Sequence, residues 1–160
     1  MQRTPLIAAN WKMNGSVALV EEITRELASL SLSETEVLIC PPATLINCFS
    51  AERNFVLGAQ NVSHEKAGAF TGELSTDLLL EAGARFVIIG HSERRTLNFE
   101  SDALIAAKLA AAVNAGLTPV LCIGETLEQR QQEKTQQVLA RQLDAVYASQ
   151  PELLAKSVIA

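Results

Sequence analysis

Residues 86–95, with the sequence FVIIGHSERR, place a histidine directly after a predicted strand. The four apolar residues 86–89 predict a strand buried on both faces. Gly90 permits a sharp turn, so His91 would project from the carboxyl edge of a sheet, where parallel α/β proteins assemble their active sites. Ser92 is a candidate N-cap for a short helix, whose free N–H groups would favour a neutral His91 imidazole. The alternative for an isolated Gly-His pair is a histidine that only ties a loop together through hydrogen bonds.

Polar side chains follow the other predicted strands at the same edge. Asn10 and Lys12 come after the first strand, Gln60 and Asn61 end the third, and Glu125 follows the fifth. Lys12 is suited to an anionic substrate and to developing negative charge, although a solvated loop lysine is an equally simple reading. Glu93 and Arg94 are more simply explained as a structural ion pair.

Strands and helices alternate along the chain. Strands are predicted at residues 6–9, 36–40, 55–60, 86–89, 119–123 and 157–160. Between them lie predicted helices after Ser16, at 44–52, at 75–82, from Ser101 to Gly116, and after the Thr126–Gln129 capping box, with Leu139, Leu143 and Val146 on the buried face of the last. Each connection is long enough for a helical crossover, so the strands should be parallel. This pattern alone permits either an open doubly wound sheet or part of a closed barrel.

The composition favours a single folded domain over residues 1–160. Hydrophobic residues make up 48% of the chain and its net charge is −5, which gives no electrostatic signal for nucleic-acid binding. No apolar run approaches the roughly 20 residues that cross a bilayer, and the N-terminus lacks the pattern of a signal peptide. Three cysteines in no metal spacing and only two histidines predict a cytoplasmic protein without a metal site. The absence of glycine-rich phosphate-binding fingerprints weakens a nucleotide-binding sheet.

Five sequence blocks together resemble the triosephosphate isomerase family. They are AANWKMNG at 8–15, LGAQN at 57–61, GAFTGE at 68–73, IIGHSERR at 88–95 and PVLCIGET at 119–126. They occur in the order and at the spacing of the family, and the resemblance covers essentially all 160 residues. It implies a parallel (β/α) TIM barrel, of which this chain holds five βα units and the start of strand six. The resemblance therefore favours part of a closed barrel over an open doubly wound sheet.

The resemblance also implies a reaction and a set of residues. The reaction is the interconversion of dihydroxyacetone phosphate and D-glyceraldehyde 3-phosphate through an enediolate, with no metal or organic cofactor. Asn10 and Lys12 would bind the substrate, and Lys12 would supply positive charge near the phosphate and the enediolate. His91 would be the neutral electrophile that polarises the carbonyl and shuttles a proton, and Glu93 would support Lys12.

A homodimer is a further implication of the resemblance. In the family, the loop that matches residues 67–73 protrudes into a partner subunit near the lysine and the histidine. Thr71 would then lie at the tip of this loop, with Met13 in contact. Glu73 would pair with Arg94 across the interface.

The resemblance leaves one catalytic group outside the sequence. The family's general base is a glutamate after strand six, and residues 157–160 end within that strand. A complete barrel needs about 250 residues, so this chain holds about five of eight units. We therefore expect residues 1–160 alone to be inactive unless another polypeptide completes the barrel. The alternative is a non-catalytic barrel fragment that acts as a folding or assembly element, whereas the GHSERR and NWKMNG blocks argue against a different phosphosugar enzyme.

Overall fold

A curved sheet of six parallel strands forms the centre of the molecule. The computed structural model describes residues 4–148 and 150–160. Its strands are β1 Leu6–Asn10, β2 Glu36–Cys40, β3 Val56–Ala59, β4 Phe86–Ile89, β5 Thr118–Leu121 and β6 Val158–Ile159. They lie in the order β1-β2-β3-β4-β5-β6, and every neighbouring pair is parallel. A doubly wound sheet reverses its strand order at a switch point, whereas a barrel keeps the order of the chain. The predicted incomplete (β/α) barrel is thereby confirmed.

Helices connect the strands. They are α1 Val17–Ala28, α2 Ala43–Ile46, α3 Thr76–Glu81, α4 Ser92–Leu97, α5 Asp102–Ala115, α6 Leu127–Gln131, α7 Thr135–Tyr147 and α8 Glu152–Ala155. The side chains of Ser16, Ser75 and Ser101 accept hydrogen bonds from the first turns of α1, α3 and α5. The capping box of Thr126 and Gln129 opens α6 as predicted. Gly116 ends α5 in the left-handed conformation.

Two predicted helices differ from those in the structure. The long helix after Thr126 is broken into α6 and α7, because Glu133 adopts a left-handed φ of 56° between them. The predicted helix at 44–52 ends already at Ile46. Beyond it, Phe49 is buried between the rings of Trp11 and Phe55, at centroid distances of 5.9 and 5.8 Å. Packing of this one aromatic ring therefore prevails over the local helical tendency.

The two faces of the sheet carry separate hydrophobic clusters. The larger cluster joins alternate strand residues to helix residues such as Val20 and Leu109. The smaller one consists of strand residues on the opposite face, namely Leu38, Cys40, Phe86, Ile88 and Val120. On the outermost strands, Ile7 is 62% exposed and Ile159 is 44% exposed. Over the residues that the structure describes, no helix is long and apolar enough to cross a membrane.

Candidate active site

The carboxyl ends of β1, β3 and β4 line a cavity of about 440 Å³. Asn10, Lys12, Gln60, His91 and Glu93 all border it. These residues are up to 83 positions apart in the sequence, and the parallel sheet brings them together because each follows the same end of its strand. The structure thus places the predicted catalytic and substrate-binding residues around one shared space.

The backbone of Lys12 is held in an uncommon conformation. Its φ is +52°, in the left-handed region that non-glycine residues rarely adopt. Its N–H donates to Oδ1 of Asn10 at 2.9 Å, and its carbonyl oxygen accepts from Nε2 of Gln60 at 2.9 Å. The same Gln60 nitrogen donates to the carbonyl oxygen of Cys40 at 2.8 Å. Gln60 was predicted only as a strand-end polar residue, and its role in fixing Lys12 depends on a contact 48 positions away in the chain.

The side chain of Lys12 forms an ion pair with Glu93. Nζ of Lys12 lies 2.8 Å from Oε1 of Glu93, and both side chains are about half exposed. This hydrogen bond, aided by the positive charge of Lys12, holds the pKa of Glu93 below its ordinary value. An ammonium group has three protons, so Lys12 can bind Glu93 and still donate to an anion in the cavity. The predicted proximity of Glu93 to Lys12 is present in the fold.

His91 caps the N-terminus of α4, so the prediction that Ser92 is the cap was wrong. Nδ1 of His91 accepts a hydrogen bond from the backbone N–H of Glu93 at 3.2 Å. A ring nitrogen that accepts carries no proton, so this bond favours the tautomer with its proton on Nε2; the same Nδ1 lies 3.5 Å from Oε2 of Glu93. The left-handed Gly90 turn (φ 72°) lets the chain leave β4 and enter α4 at this residue. His91 therefore offers an N–H donor from the carboxyl edge of the sheet.

A buried ionic cluster lies behind the cavity. Oε1 of Glu100 accepts from Nε of Arg94 at 2.5 Å and from Nζ of Lys108 at 2.6 Å. Nζ of Lys108 also donates to Oδ1 of Asn61 at 2.8 Å. Burial alone would raise the pKa of Glu100, but the two cationic donors outweigh it and hold the pKa below its ordinary value. The cluster thus fixes Arg94 and Asn61, two residues that border the cavity.

Sequence reasoning did not assign the cluster to a site. The side chains of Glu100 and Lys108 are only 3% and 5% exposed. A signal was present, since Lys108 interrupts an otherwise apolar stretch of α5 and buried lysines need a partner. The identity of that partner could not be read from the spacing, because Asn61 lies 47 positions earlier.

Glu125, the other predicted rim carboxylate, lies outside the lining of the 440 Å³ cavity. It borders a neighbouring cavity of about 670 Å³, which His91 also lines. Its Oε1 accepts from Nε of Arg130 at 2.8 Å and from Oγ1 of Thr135 at 3.2 Å. A backbone hydrogen bond, followed by the bond from Arg130, holds the pKa of Glu125 below its ordinary value. Such a carboxylate is a weak proton acceptor, so Glu125 is poorly suited to act as a general base.

The residues predicted for a dimer interface are accessible in the single chain. Met13 is 96% exposed, and Thr71 and Glu73 are exposed on the loop of residues 67–73. Among the described residues, Arg94 uses Nε for Glu100 and no other side-chain nitrogen in a hydrogen bond. Its two Nη groups therefore remain available for a second carboxylate.

Comparison with known proteins gives one consistent answer. Residues 5–160 match the family model of triosephosphate isomerase. The chain is 49% identical to the triosephosphate isomerase of Alkalilimnicola ehrlichii, covering 90% of this chain and 59% of that protein. It is 51% identical to the enzyme of Halorhodospira halophila, covering 90% of this chain and 58% of that protein.

A solved structure agrees with these relatives. The crystal structure of triosephosphate isomerase from Bartonella henselae superposes with a TM-score of 0.85 at 46% identity. The alignment covers 90% of this chain and 62% of that one. The chain spans about three fifths of the length of the relatives it matches. On its sequence blocks, its strand order and these matches, the chain belongs to the triosephosphate isomerase family.

Proposed function

We propose that this chain contributes to a site that interconverts dihydroxyacetone phosphate and D-glyceraldehyde 3-phosphate by proton transfer through an enediolate. The observation that carries the proposal is the shared cavity of Asn10, Lys12 and His91 at the carboxyl ends of the strands. Family membership supports the same reaction, since the matched relatives are named for it. The relatives are longer than this chain, so the activity belongs to a complete barrel that includes residues 1–160 as the N-terminal portion of one domain.

In the proposed reaction, Lys12 and Asn10 bind the substrate. The ammonium group of Lys12 neutralises the phosphate and the negative charge of the enediolate. Nε2–H of His91 donates to the carbonyl oxygen as it becomes an enediolate oxygen, and then moves a proton between the two oxygens. Glu93 keeps Lys12 in place through the 2.8 Å contact. The residues need no cofactor, because proton transfer is the only chemistry involved.

Removal of the carbon-bound proton needs a base that the described cavity does not offer. Among the described residues that line the cavity, Glu93 is the only one with a carboxylate. It is hydrogen-bonded to Lys12 and its pKa is lowered, so it is a weak base. The resemblance assigns the base to a glutamate that follows strand six. We accordingly expect a polypeptide of residues 1–160 alone to bind anions weakly and to turn over no substrate.

The homodimer and the cytoplasmic location belong to the same proposal. The exposed Met13, Thr71 and Glu73 and the available Nη groups of Arg94 support a symmetric contact at the loop of residues 67–73. Cys40, Cys48 and Cys122 are free thiols, which supports a reducing compartment.

A second candidate is a non-catalytic folding or assembly element. The exposure of Ile7 and Ile159 on the two outermost strands favours it, because apolar side chains and free strand edges recruit further strands. Size-exclusion chromatography of residues 1–160, with and without the remaining barrel strands on a second polypeptide, tests it. Turnover restored on mixing the two polypeptides would show that residues 1–160 assemble into a barrel and contribute to catalysis. Tight association without turnover would favour the second candidate.

The experiment for the catalytic proposal is turnover of the full-length protein with His91→Gln. Glutamine retains an acceptor for the Glu93 N–H but cannot shuttle a proton, so kcat should fall by about a hundredfold or more with little change in melting temperature. His64→Gln is the matched control, since His64 is exposed and lies on the loop of residues 61–74. Turnover of His91→Gln equal to that of His64→Gln would refute the role of His91.

A further inference from the structure

We propose that Arg95 is the positioning residue that fixes the orientation of His91, an inference that rests on the proposed function of His91. The guanidinium of Arg95 folds back beneath α4 and is mostly buried, with 17% of its side chain exposed. Nε donates to the carbonyl oxygen of Gly90 at 2.7 Å, and Nη2 donates to that of Cys122 at 3.1 Å. Nη1 donates to Oδ1 of Asp102 at 2.6 Å. One planar group thus joins the exits of β4 and β5 to the start of α5.

The location of these acceptors explains why an arginine is needed. The ladder between β4 and β5 ends with the hydrogen bond from Cys122 N–H to the carbonyl oxygen of Ile89, at 2.9 Å. Gly90 and Cys122 are the first residues beyond the two strands, so the guanidinium supplies donors where the ladder stops. A guanidinium carries donors in a fixed planar fork, whereas a lysine has one nitrogen and would leave an acceptor unpaired.

Arg95 hydrogen-bonds to the two backbone carbonyl groups that flank the α-carbon of His91. Its side chain holds the carbonyl of Gly90, the residue before His91, and its backbone N–H donates to the carbonyl oxygen of His91 at 3.1 Å. Gly90 has no side chain to limit its rotation, and it turns at a φ of 72°. A Cβ on Gly90 would lie 3.1 Å from Nη2 of Arg95, so the glycine also makes room for the guanidinium. Of these two contacts, the one made by the side chain fixes the peptide that leads into His91, and we infer that it sets the direction of the imidazole.

Arg141 provides a matched control. Its Nε donates to Oδ2 of Asp102 at 3.0 Å, so it shares a carboxylate with Arg95, yet its side chain is 58% exposed. Among the described residues, the side chain of Arg141 hydrogen-bonds to Asp102 and to neither Gly90 nor Cys122. Arg141→Met removes the same charge and one bond to Asp102 but leaves the strand exits joined. Any effect that Arg95→Met shows beyond Arg141→Met then reports on those exits.

The first readout compares kcat with the affinity for a substrate-like anion in the full-length enzyme. Arg95→Met should lower kcat by about ten- to a hundredfold, because a displacement of about 1 Å at a catalytic group costs that much. The affinity for 2-phosphoglycolate, a small phosphorylated carboxylate, should stay near wild type, because Arg95 does not contact Lys12. Arg95→Lys should lie between wild type and Arg95→Met. Arg141→Met should keep the wild-type kcat.

The second readout needs no activity. With ¹⁵N-labelled histidine, the ring nitrogens of His91 should show the Nε2–H tautomer in the wild type, and Arg95→Met should mix the two tautomers. His64→Gln assigns the signals. If the wild-type enzyme had no isomerase activity, the proposed function would be wrong. The spectrum would still test whether Arg95 orients His91. Unchanged His91 signals together with equal kcat in Arg95→Met and Arg141→Met would overturn the positioning role. If Arg95→Met did not fold, the same two measurements on Arg95→Lys would decide.

Discussion

Nζ of Lys12 lies 2.8 Å from Oε1 of Glu93 and joins the exit of β1 to the first turn of α4. The contact spans 81 positions of sequence and connects the two segments that carry the proposed substrate-binding and electrophilic groups. Because the pKa of Glu93 is lowered, the pair is intact above the ordinary carboxyl pKa and is lost as the pH falls through the depressed value. The arrangement therefore keeps Lys12 fixed throughout the neutral range.

Substitution of Lys12 should weaken anion binding. In the full-length protein, Lys12→Met removes the ammonium that faces the cavity, and affinity for 2-phosphoglycolate should fall by about ten- to a hundredfold. Isothermal titration calorimetry at low salt measures the change. Lys66→Met is the control, since it removes the same charge from a lysine that does not line this cavity. Equal affinities for the two variants would remove Lys12 from the binding site.

The ionic cluster predicts a loss of stability in Glu100→Gln that depends on pH. The substitution leaves Lys108 buried without its counter-charge, which should lower the free energy of unfolding by about 3 kcal/mol at pH 7. The pKa of Glu100 is lowered in the folded state, so its contribution is present above the ordinary value of 4.5 and is lost as the pH falls through the depressed value. The difference between wild type and variant should therefore shrink on acidification.

Urea denaturation at pH 7 and at pH 4 tests this dependence, provided that both proteins unfold reversibly. Glu22→Gln serves as the control, because Glu22 is exposed on α1 and its loss should change stability by less than about 0.5 kcal/mol. A difference that grew on acidification would contradict the assigned pKa direction. Equal midpoints for Glu100→Gln and Glu22→Gln at pH 7 would contradict the structural role of the cluster.

Gly58 should not tolerate a methyl group. A Cβ there would lie 2.7 Å from Sγ of Cys40, 3.0 Å from Cδ1 of Leu38 and 3.2 Å from Cβ of Phe86. Gly58→Ala should therefore overpack the smaller cluster and cost about 1–3 kcal/mol of unfolding free energy. Adding Cys40→Ala removes the closest atom and should restore part of the loss. Gly124→Ala, where a Cβ meets nothing within 4 Å, should be nearly neutral, and a loss equal to that of Gly58→Ala would reject this explanation.

The three thiols should differ in reactivity. Cys48 is exposed, whereas burial, together with the nearby Cys122, raises the pKa of Cys40 to about 12. Burial also raises the pKa of Cys122. The thiolate is the reactive form, so Ellman's reagent should modify Cys48 first and leave Cys40 untouched until the protein unfolds. Loss of the fast phase in Cys48→Ser verifies the order, and a fast phase that persisted in this variant would refute it.

The sequence by itself determined the parallel architecture, the family and most helix starts. Ser16, Ser101 and the Thr126–Gln129 box cap helices as predicted, because a cap depends on groups three residues apart. The strand at 86–89 is also as predicted, since a continuous apolar run carries its own signal. The sequence likewise predicted that Asn10, Lys12 and His91 would share one edge of the sheet, because successive parallel strands end on the same side.

Tertiary structure alone decided how those side chains are held. The N-terminus of α4 takes His91 rather than Ser92 as its cap, and Gln60 fixes the left-handed backbone of Lys12. The burial of Lys108 and the fork of Arg95 likewise join segments that are distant in the sequence. Such contacts depend on the twist and register of the curved sheet, which local propensities and spacing do not encode. Local patterns therefore specify the elements, and packing between distant elements sets the geometry of the site.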